Sequence, residues 1–194
     1  MLKLRRRTVI ETPRLTLRLP QQADHMAWSA LRQASKAFLT PWEPVWAEDH
    51  LSRRSFSNRV SWALRSDAEG SGLPLFVIRR EDQMLMGGIT LDYIRRGPAQ
   101  SGTIGYWMGE PFTRHGYMRE AIEALSHHAF TRLDLSRIEA ACLPENTPSR
   151  ALLEKCGFKY EGVAQAYLQI AGRWRNHVLY SLLRHDRRGR VLPG

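Results

Sequence analysis

Hydrophobic and polar residues alternate along several short stretches of the chain, and this pattern predicts β-strands. Leu15, Leu17 and Leu19 alternate with polar residues after the Thr12-Pro13 break, which predicts a half-buried strand over 14–19. Other runs rich in β-branched and aromatic residues also read as strands. They cover 75–79, 84–93, 103–108, 137–143, 158–170 and 173–183. The pattern therefore predicts about seven strands.

Apolar residues at helical spacing predict helices between these strands. Segment 23–34 has such a stripe, and helices are also predicted over 51–66, from Gly116 onwards, and over 149–156. The stripe in 23–34 comprises Met26, Ala27, Ala30, Leu31 and Ala34, and the stripe after Gly116 comprises Met118, Ala121, Ile122, Leu125, Ala129 and Leu133. Because strands and helices interleave without strict alternation, we expect one α/β domain with a mixed sheet.

The composition fits this expectation and adds a strong positive charge. A length of 194 residues suits a single domain over 1–194, and the net charge is +10. Such a charge favours an anionic partner, with RNA or the ribosome among the candidates. Basic residues concentrate in 1–10 and 186–194, which we expect to be flexible tails that are either solvated or involved in such contacts.

Two cysteines and the apolar runs indicate the compartment. Cys142 and Cys156 form no CxxC pair, and both lie in segments predicted to be ordered, so buried free thiols are expected. The basic N-terminus is not followed by an apolar signal region, and no apolar run is long enough to span a membrane. We therefore expect a cytoplasmic protein, either a monomer or a homodimer.

A strand-loop-helix segment carries the sharpest chemical signal. Gly116 stands at the start of a predicted helix shortly after the strand 103–108, and Arg114 and Arg119 flank it. A helix N-terminus presents free N–H groups, and glycine permits close approach, so phosphate can bind there. A plain strand-to-helix turn is the alternative, because one glycine is neither GxGxxG nor a Walker loop.

Two motifs resemble the GNAT superfamily of N-acetyltransferases. The segment GYWMGEPFTRHGYMREAI is similar to the acetyl-CoA motif, with Thr113 where Gln or Arg is usual and Met118 where Gly or Ala is usual. The segment CLPENTPSRALLEKCGFKYEG resembles the next family element. The resemblance implies one GNAT-like domain. In it, a mixed, mostly antiparallel twisted sheet of about seven strands is flanked by about four helices.

The segments FLTPWEP and YLQIAGRWRNHVLYSLL extend the resemblance over nearly the whole chain. They are similar to the RimJ type of ribosomal-protein-alanine N-acetyltransferase. This implies acetyl transfer from acetyl-CoA, without a metal, to the N-terminal amine of a ribosomal protein. The alternatives are a GNAT enzyme for a small amine, such as an amino acid, polyamine or antibiotic, and a non-catalytic basic protein that binds RNA or the ribosome.

The resemblance also assigns roles to residues. It implies that backbone amides hold the CoA pyrophosphate at Arg114, His115, Gly116, Tyr117, Met118 and Arg119. It further implies that Tyr106, Trp107 and Met108 pair with the pantetheine arm and polarise the thioester, that Asn146 contacts the pantetheine amides, and that Ser149 lies near the sulfur. A tyrosine acid is usual where Leu153 stands. Independently of the resemblance, Glu43 lies between Trp42 and Pro44 in a stiff loop, and it is a candidate either for orienting the amine or for taking its proton through water. A plain surface carboxylate is the alternative. Trp42, Glu43, Tyr106 and Tyr167 are candidates for the acceptor site.

Overall fold

The computed structural model describes residues 8–185, whose strands form one sheet of eight. The strands are β1 (Val9–Glu11), β2 (Leu15–Arg18), β3 (Leu73–Arg79), β4 (Leu85–Arg95), β5 (Ser101–Met108), β6 (Arg137–Cys142), β7 (Lys159–Ile170) and β8 (Arg173–Leu183). Their order across the sheet is β1-β2-β3-β4-β5-β6-β8-β7. Every neighbouring pair is antiparallel except β5 and β6, which are parallel.

Five α-helices accompany the sheet. They are α1 (His25–Ala34), α2 (Lys36–Leu39), α3 (Arg53–Glu69), α4 (Tyr117–Thr131) and α5 (Thr147–Lys155). Short 3-10 turns cover Gln22–Asp24, Thr40–Trp42 and Glu110–Phe112. No helix within 8–185 is both long and apolar enough to cross a membrane. The predicted single α/β domain with a mostly antiparallel sheet is thus confirmed.

Residues 8–185 contain one strand and one α-helix more than the predicted number. Val9 and Ile10, which the sequence placed in a flexible tail, form β1 and pair with Arg18 and Leu17 of β2. A strand of three residues is too short to show a period, so its pattern was not readable. The four-residue α2 occupies part of the connection before the Pro-rich loop. The remaining parts of the predicted tails, 1–7 and 186–194, lie outside the described residues.

Two hydrophobic clusters lie on opposite faces of the sheet. Leu75 and Val77 of β3 belong to the larger cluster, together with the buried stripe of α4. Phe76 and Ile78 alternate with them and join a second cluster that includes Trp28 of α1. Because successive strand residues face opposite sides, α4 packs on one face and α1 with part of α3 on the other. The site described below lies between these layers.

The buried face of α1 differs from the predicted one. Met26 is 74% exposed, and Ala27, Ala30 and Ala34 are also exposed. The residues of α1 that are buried are Trp28 and Arg32, which are one turn apart. Of the predicted stripe, Leu31 packs against the second cluster, so the prediction was only partly right. The other residues of the stripe are exposed because alanine tolerates solvent and because a paired arginine can be buried in their place.

Candidate active site

Strands β5 and β6 separate in the middle of the sheet. Their parallel ladder runs only from Ser101 paired with Arg137 to Ile104 paired with Ala140. Beyond it, Gly105–Met108 retain partners on β4 but have none on β6. The Gly109 N–H donates to the Met86 carbonyl over 2.8 Å. Since antiparallel pairs alternate, the backbone N–H and C=O groups of Tyr106 and Met108 point away from β4 and into the gap.

A loop with free amide groups lies directly after β5. Gly116 is the N-cap of α4 with φ of 78°, and Arg114 has φ of 65°. Within the described chain, no carbonyl accepts a hydrogen bond from the backbone N–H groups of 114–119, whereas Glu120 N–H donates to Gly116 over 3.1 Å. Such N–H groups at the positive end of a helix are a binding site for an anion such as a pyrophosphate.

Glu120, which the sequence did not single out, anchors this loop to the start of β2. One carboxylate oxygen of Glu120 accepts from the Thr12 hydroxyl over 2.6 Å, and the other accepts from Arg14 Nε over 2.6 Å. Arg14 Nη1 also donates to the His115 carbonyl over 3.1 Å. The loop is therefore held in its open shape by side chains. The pairing joins residues more than a hundred positions apart, so no local pattern could have indicated it.

The two departures from the family motif leave the loop unobstructed. The side chain of Met118 is buried in the larger hydrophobic cluster, away from the loop surface. Thr113 donates its hydroxyl to the Glu110 carbonyl over 2.9 Å and so closes the preceding turn. Arg119 pairs with Glu123, and the rings of His115 and Tyr117 stack with centroids 5.8 Å apart.

Residues at the start of α5 face the gap between β5 and β6. Asn146 caps α5 by accepting from the Ser149 N–H over 3.1 Å, and its side-chain NH₂ group has no acceptor within the described residues. The Ser149 hydroxyl lies 2.8 Å from the Tyr106 phenol oxygen. Burial raises the pKa of Tyr106 and of Cys142. Leu153, at the position of the usual tyrosine acid, is buried in the core.

Arg32 connects α1 to Glu43 and to β5. Its two terminal nitrogens donate to the two carboxylate oxygens of Glu43 over 2.8 and 2.5 Å, and Trp46 Nε1 donates to the same carboxylate over 2.8 Å. The guanidinium carbon lies 4.5 Å from the Trp46 ring centroid and 4.8 Å from that of Trp107. Arg32 is thus buried between two aromatic rings and paired with a carboxylate, which makes a buried arginine tolerable.

The position of Trp107 depends on a glycine on the neighbouring strand. Gly88 pairs with Trp107 across β4 and β5. A Cβ atom added at Gly88 would lie 2.6 Å from Trp107 Nε1. The absence of a side chain at Gly88 therefore lets the indole lie flat against the sheet, where it forms one side of the Arg32 stack.

These residues border a cavity of about 350 Å³ on the α1 side of the sheet. We name it the tryptophan cavity, and its walls include Trp28, Arg32, Glu43, Trp46, Arg59 and Trp107. His50 also lines it, and burial together with the charges of Arg32 and Arg59 lowers the pKa of His50 to about 4. His50 is therefore neutral near pH 7, in agreement with its contact of 3.3 Å to Arg32 Nη2.

Trp42 and Tyr167 lie away from this cavity. Trp42 is 36% exposed at the end of a 3-10 turn, and Tyr167 is 44% exposed on β7, with its ring 5.5 Å from the ring of His177. The hairpin of β7 and β8 reaches the Pro-rich loop at its tip, where the Ala171 N–H donates to the Glu43 carbonyl over 3.0 Å. Of the predicted acceptor residues, Glu43 thus lies in the cavity wall and Tyr106 lies beside Ser149 at the gap, whereas Trp42 and Tyr167 are exposed outside the cavity.

The described residues contain no group of three His, Cys, Asp or Glu side chains that could hold a metal ion. The arrangement offers donors for an anion at 114–119, unpaired strand groups at Tyr106 and Met108, and a hydroxyl at Ser149. This set of groups can bind a phosphorylated, extended ligand and donate hydrogen bonds to an acyl group at its end.

Comparisons with known proteins agree with this geometry. Residues 14–159 match the family model described as an acetyltransferase (GNAT) domain. The chain is 30% identical over 177 residues to the [ribosomal protein uS5]-alanine N-acetyltransferase of Escherichia coli K12, with 91% of each chain covered. It is also 34% identical over 182 residues to the putative ribosomal N-acetyltransferase YdaF of Bacillus subtilis, with 90% of this chain and 94% of that protein covered.

Solved structures give the same result. Mycobacterium smegmatis RimJ in complex with CoA-disulfide superposes with a TM-score of 0.85 at 31% identity, covering 93% of this chain and 89% of that one. The ribosomal-protein-S5-alanine acetyltransferase of Vibrio fischeri has a TM-score of 0.85 at 26% identity, covering 92% of this chain and 98% of that one. This protein therefore belongs to the GNAT acetyltransferase family.

Proposed function

We propose that this protein transfers the acetyl group of acetyl-CoA to the N-terminal α-amino group of a ribosomal protein, with alanine as the acceptor residue. The observation that carries the proposal is the gap between β5 and β6 beside the free amide groups of 114–119. The acceptor is supported by relatives that match this chain over most of their length and whose names specify a ribosomal alanine substrate. The acceptor we propose is therefore a cytoplasmic protein.

The residues of the gap and the loop fit acetyl-CoA. The N–H groups of 114–119 would hold its pyrophosphate, and the exposed side chain of Arg114 would add positive charge. The unpaired groups of Tyr106 and Met108 would form strand-like hydrogen bonds with its pantetheine amides. The NH₂ group of Asn146 would donate to one of the carbonyls of that arm.

The reaction is attack of a neutral amine on a thioester carbonyl, with the thiol as leaving group. A backbone N–H of β5 that points into the gap would stabilise the developing oxyanion, an interaction worth about 3–4 kcal/mol in comparable sites. An α-amino group has a pKa near 8 and is partly neutral at working pH, so the site needs no strong base. We assign Ser149 as the donor to the departing sulfur, because Leu153 provides no acid.

Glu43 has a more constrained environment than an isolated surface carboxylate. Three donors from Arg32 and Trp46 already bind it, and Oε1 receives one of them while Oε2 receives two. A carboxylate oxygen can accept two hydrogen bonds, so Oε1 retains capacity for one more. We propose that Glu43 orients the acceptor ammonium through Oε1 while holding Arg32 in place. The exposed side chains of Trp42 and Tyr167 would contact later residues of the acceptor.

The function can be tested with a panel of amines at saturating acetyl-CoA, with thiol release as the readout. We expect an Ala-start peptide to be acetylated with kcat/KM at least about tenfold above that of polyamines and free alanine. The same peptide with a blocked N-terminus, but with an internal lysine, should not react. A higher kcat/KM for polyamines or free alanine than for the Ala-start peptide would contradict an N-terminal acceptor. So would equal reaction of the blocked peptide.

A further inference from the structure

The tryptophan cavity contains a positive charge without an internal partner. Two arginines line it, and Glu43 is its acidic wall residue. Glu43 forms a two-point ion pair with Arg32. Arg59 has no ion pair or hydrogen bond within residues 8–185, and its guanidinium carbon lies 5.4 Å from the Trp28 ring centroid. His50 is neutral near pH 7. The charged side chains of the cavity wall are thus two guanidiniums and one carboxylate, which leaves a net positive charge.

This charge is unfavourable for the protein alone. Desolvation and the charge of Arg32 lower the pKa of Arg59, and the charge of Glu43 offsets part of this effect. The Arg59 residue is exposed overall, but its guanidinium lies over the Trp28 ring, which limits hydration on that side. Arg32 also has a buried Nε–H with no acceptor. A fold that needed only bulk at position 59 could use a neutral residue, so these features indicate that the cavity receives an anion.

The chemistry of the wall favours a carboxylate. A guanidinium binds a carboxylate through two parallel hydrogen bonds, and the planar group can lie between aromatic rings. Trp107 in the cavity wall is adjacent to Tyr106, whose backbone groups point into the gap where the acetyl group would react. Because an extended chain advances about 3.3 Å per residue, only the first few residues of an acceptor can reach this wall from the reacting amine.

We infer that Arg59 is a specificity-determining residue, and that the tryptophan cavity takes a carboxylate close to the reacting amine. For a protein acceptor this is an Asp or Glu side chain within its first few residues. The inference rests on the proposed function for the identity of the acceptor, and a free amino acid would offer the same chemistry through its own carboxylate. A protein of net charge +10 would also attract such an acidic acceptor segment over a neutral one.

The test compares Ala-start peptides that differ only by Glu or Gln at position 2, 3 or 4. We expect one Glu peptide to exceed its Gln counterpart at least about tenfold in kcat/KM, mainly through KM, which corresponds to about 1.4 kcal/mol. Arg59→Gln should remove this preference, and Arg59→Lys should retain part of it. Arg59→Glu should instead favour a peptide with Lys at the same position. The matched control is Arg65→Gln, which changes an exposed arginine of α3 outside the cavity.

Peptide affinity is measured in parallel through quenching of tryptophan fluorescence, because three tryptophans line the cavity. This readout remains available if no peptide is acetylated. Equal affinities for Glu and Gln peptides at every position, or a Glu preference that persists in Arg59→Gln, would overturn the inference.

A second arm separates the inference from the proposed function. It compares free alanine with alaninamide as ligands and as acceptors. A preference for alanine that depends on Arg59, without acetylation of any peptide, would preserve carboxylate recognition and refute the protein acceptor. Acetylation of Ala-start peptides without any effect of Glu or of Arg59 would preserve the proposed function and refute the inference.

Discussion

The phenol oxygen of Tyr106 lies 2.8 Å from the hydroxyl oxygen of Ser149, and this contact joins β5 to the first turn of α5 where β5 and β6 separate. Burial raises the pKa of Tyr106, so the phenol stays protonated and is a poor proton source for a thiolate. Either hydroxyl can donate in this contact, and we propose that the phenol donates to Ser149. That bond would leave the proton of Ser149 free for the departing sulfur, so we propose Tyr106 as a positioning residue and Ser149 as the donor.

We therefore predict that Tyr106→Phe and Ser149→Ala each lower kcat by about tenfold while the Kd for acetyl-CoA changes little. Because the two residues would act as one unit, the double variant should be no slower than Ser149→Ala alone. A solvent isotope effect on single-turnover acetylation should also be reduced in both variants. Tyr160→Phe, on exposed β7, is the control. Multiplicative losses in the double variant would show that the residues act independently.

The phosphate-binding role of the loop can be tested with a pair of matched glycines. Gly116 and Gly70 both have a left-handed backbone, with φ of 78° and 69°, and both lie at helix ends. Valine should therefore cost similar stability at each position. We predict that only Gly116→Val abolishes acetyl-CoA binding, because its side chain would block approach to the amide groups.

The measurement is the ligand-induced thermal shift. A ligand at a hundred times its Kd adds about 2.7 kcal/mol to the wild-type protein, and Gly70→Val should retain this gain. A wild-type gain in Gly116→Val would show that 114–119 do not hold the pyrophosphate.

Glu43→Gln should affect both stability and catalysis. The amide would leave the buried charge of Arg32 without its carboxylate, so we expect the free energy of unfolding to fall by about 1.5–3 kcal/mol. We also expect kcat/KM for an Ala-start peptide to fall by about tenfold, or about 1.4 kcal/mol, with the Kd for acetyl-CoA unchanged. Denaturant unfolding and kinetics from pH 6 to about 9 measure the two effects. Exposed Glu48→Gln is the control, and wild-type values in Glu43→Gln would reject both roles.

The neutral His50 should make stability depend on mildly acidic pH. Its pKa is lowered to about 4 in the folded protein by burial, Arg32 and Arg59, whereas an unfolded histidine titrates near 6.5. Between these values the unfolded chain binds a proton that the folded protein does not, so the free energy of unfolding should fall as the pH drops from about 6.5 to 4.

Urea unfolding across this range measures the effect. His50→Gln should weaken the dependence, while His127→Gln, on an exposed position, should leave it unchanged. His128, whose pKa is also lowered by burial, should account for part of the remaining slope. Equal slopes in wild type and His50→Gln would contradict the neutral state of His50.

The elements were largely readable from the sequence, because their periods are local. Leu15 and Leu17 alternate with polar neighbours and are fully buried in β2. The apolar stripe after Gly116 predicted α4, and its residues from Met118 to Ala129 are buried. The gap between β5 and β6 depends on how distant segments of the chain pack together. No periodic pattern in the sequence therefore indicates where the two strands separate.

The candidate site was only partly readable for a related reason. The strand-loop-helix pattern predicted the loop at Gly116, and the resemblance to the GNAT family predicted a role for the hydroxyl of Ser149. Arg32 and Arg59 gave no signal, because an arginine in an amphipathic helix usually faces solvent. Their roles arise only when α1 and α3 bring them against Trp46, Trp107 and Trp28. Charged residues whose contacts form only in the tertiary structure are thus the part that pattern analysis misses.

The most direct test of the central claim is to incubate the protein with acetyl-CoA and unacetylated ribosomal proteins, and then to analyse their N-termini by mass spectrometry. The account predicts that one ribosomal protein with an N-terminal alanine gains a single acetyl group on its α-amine, and that Gly116→Val produces none. Acetylation confined to lysine side chains or to free amines, with every ribosomal N-terminus unmodified, would contradict it.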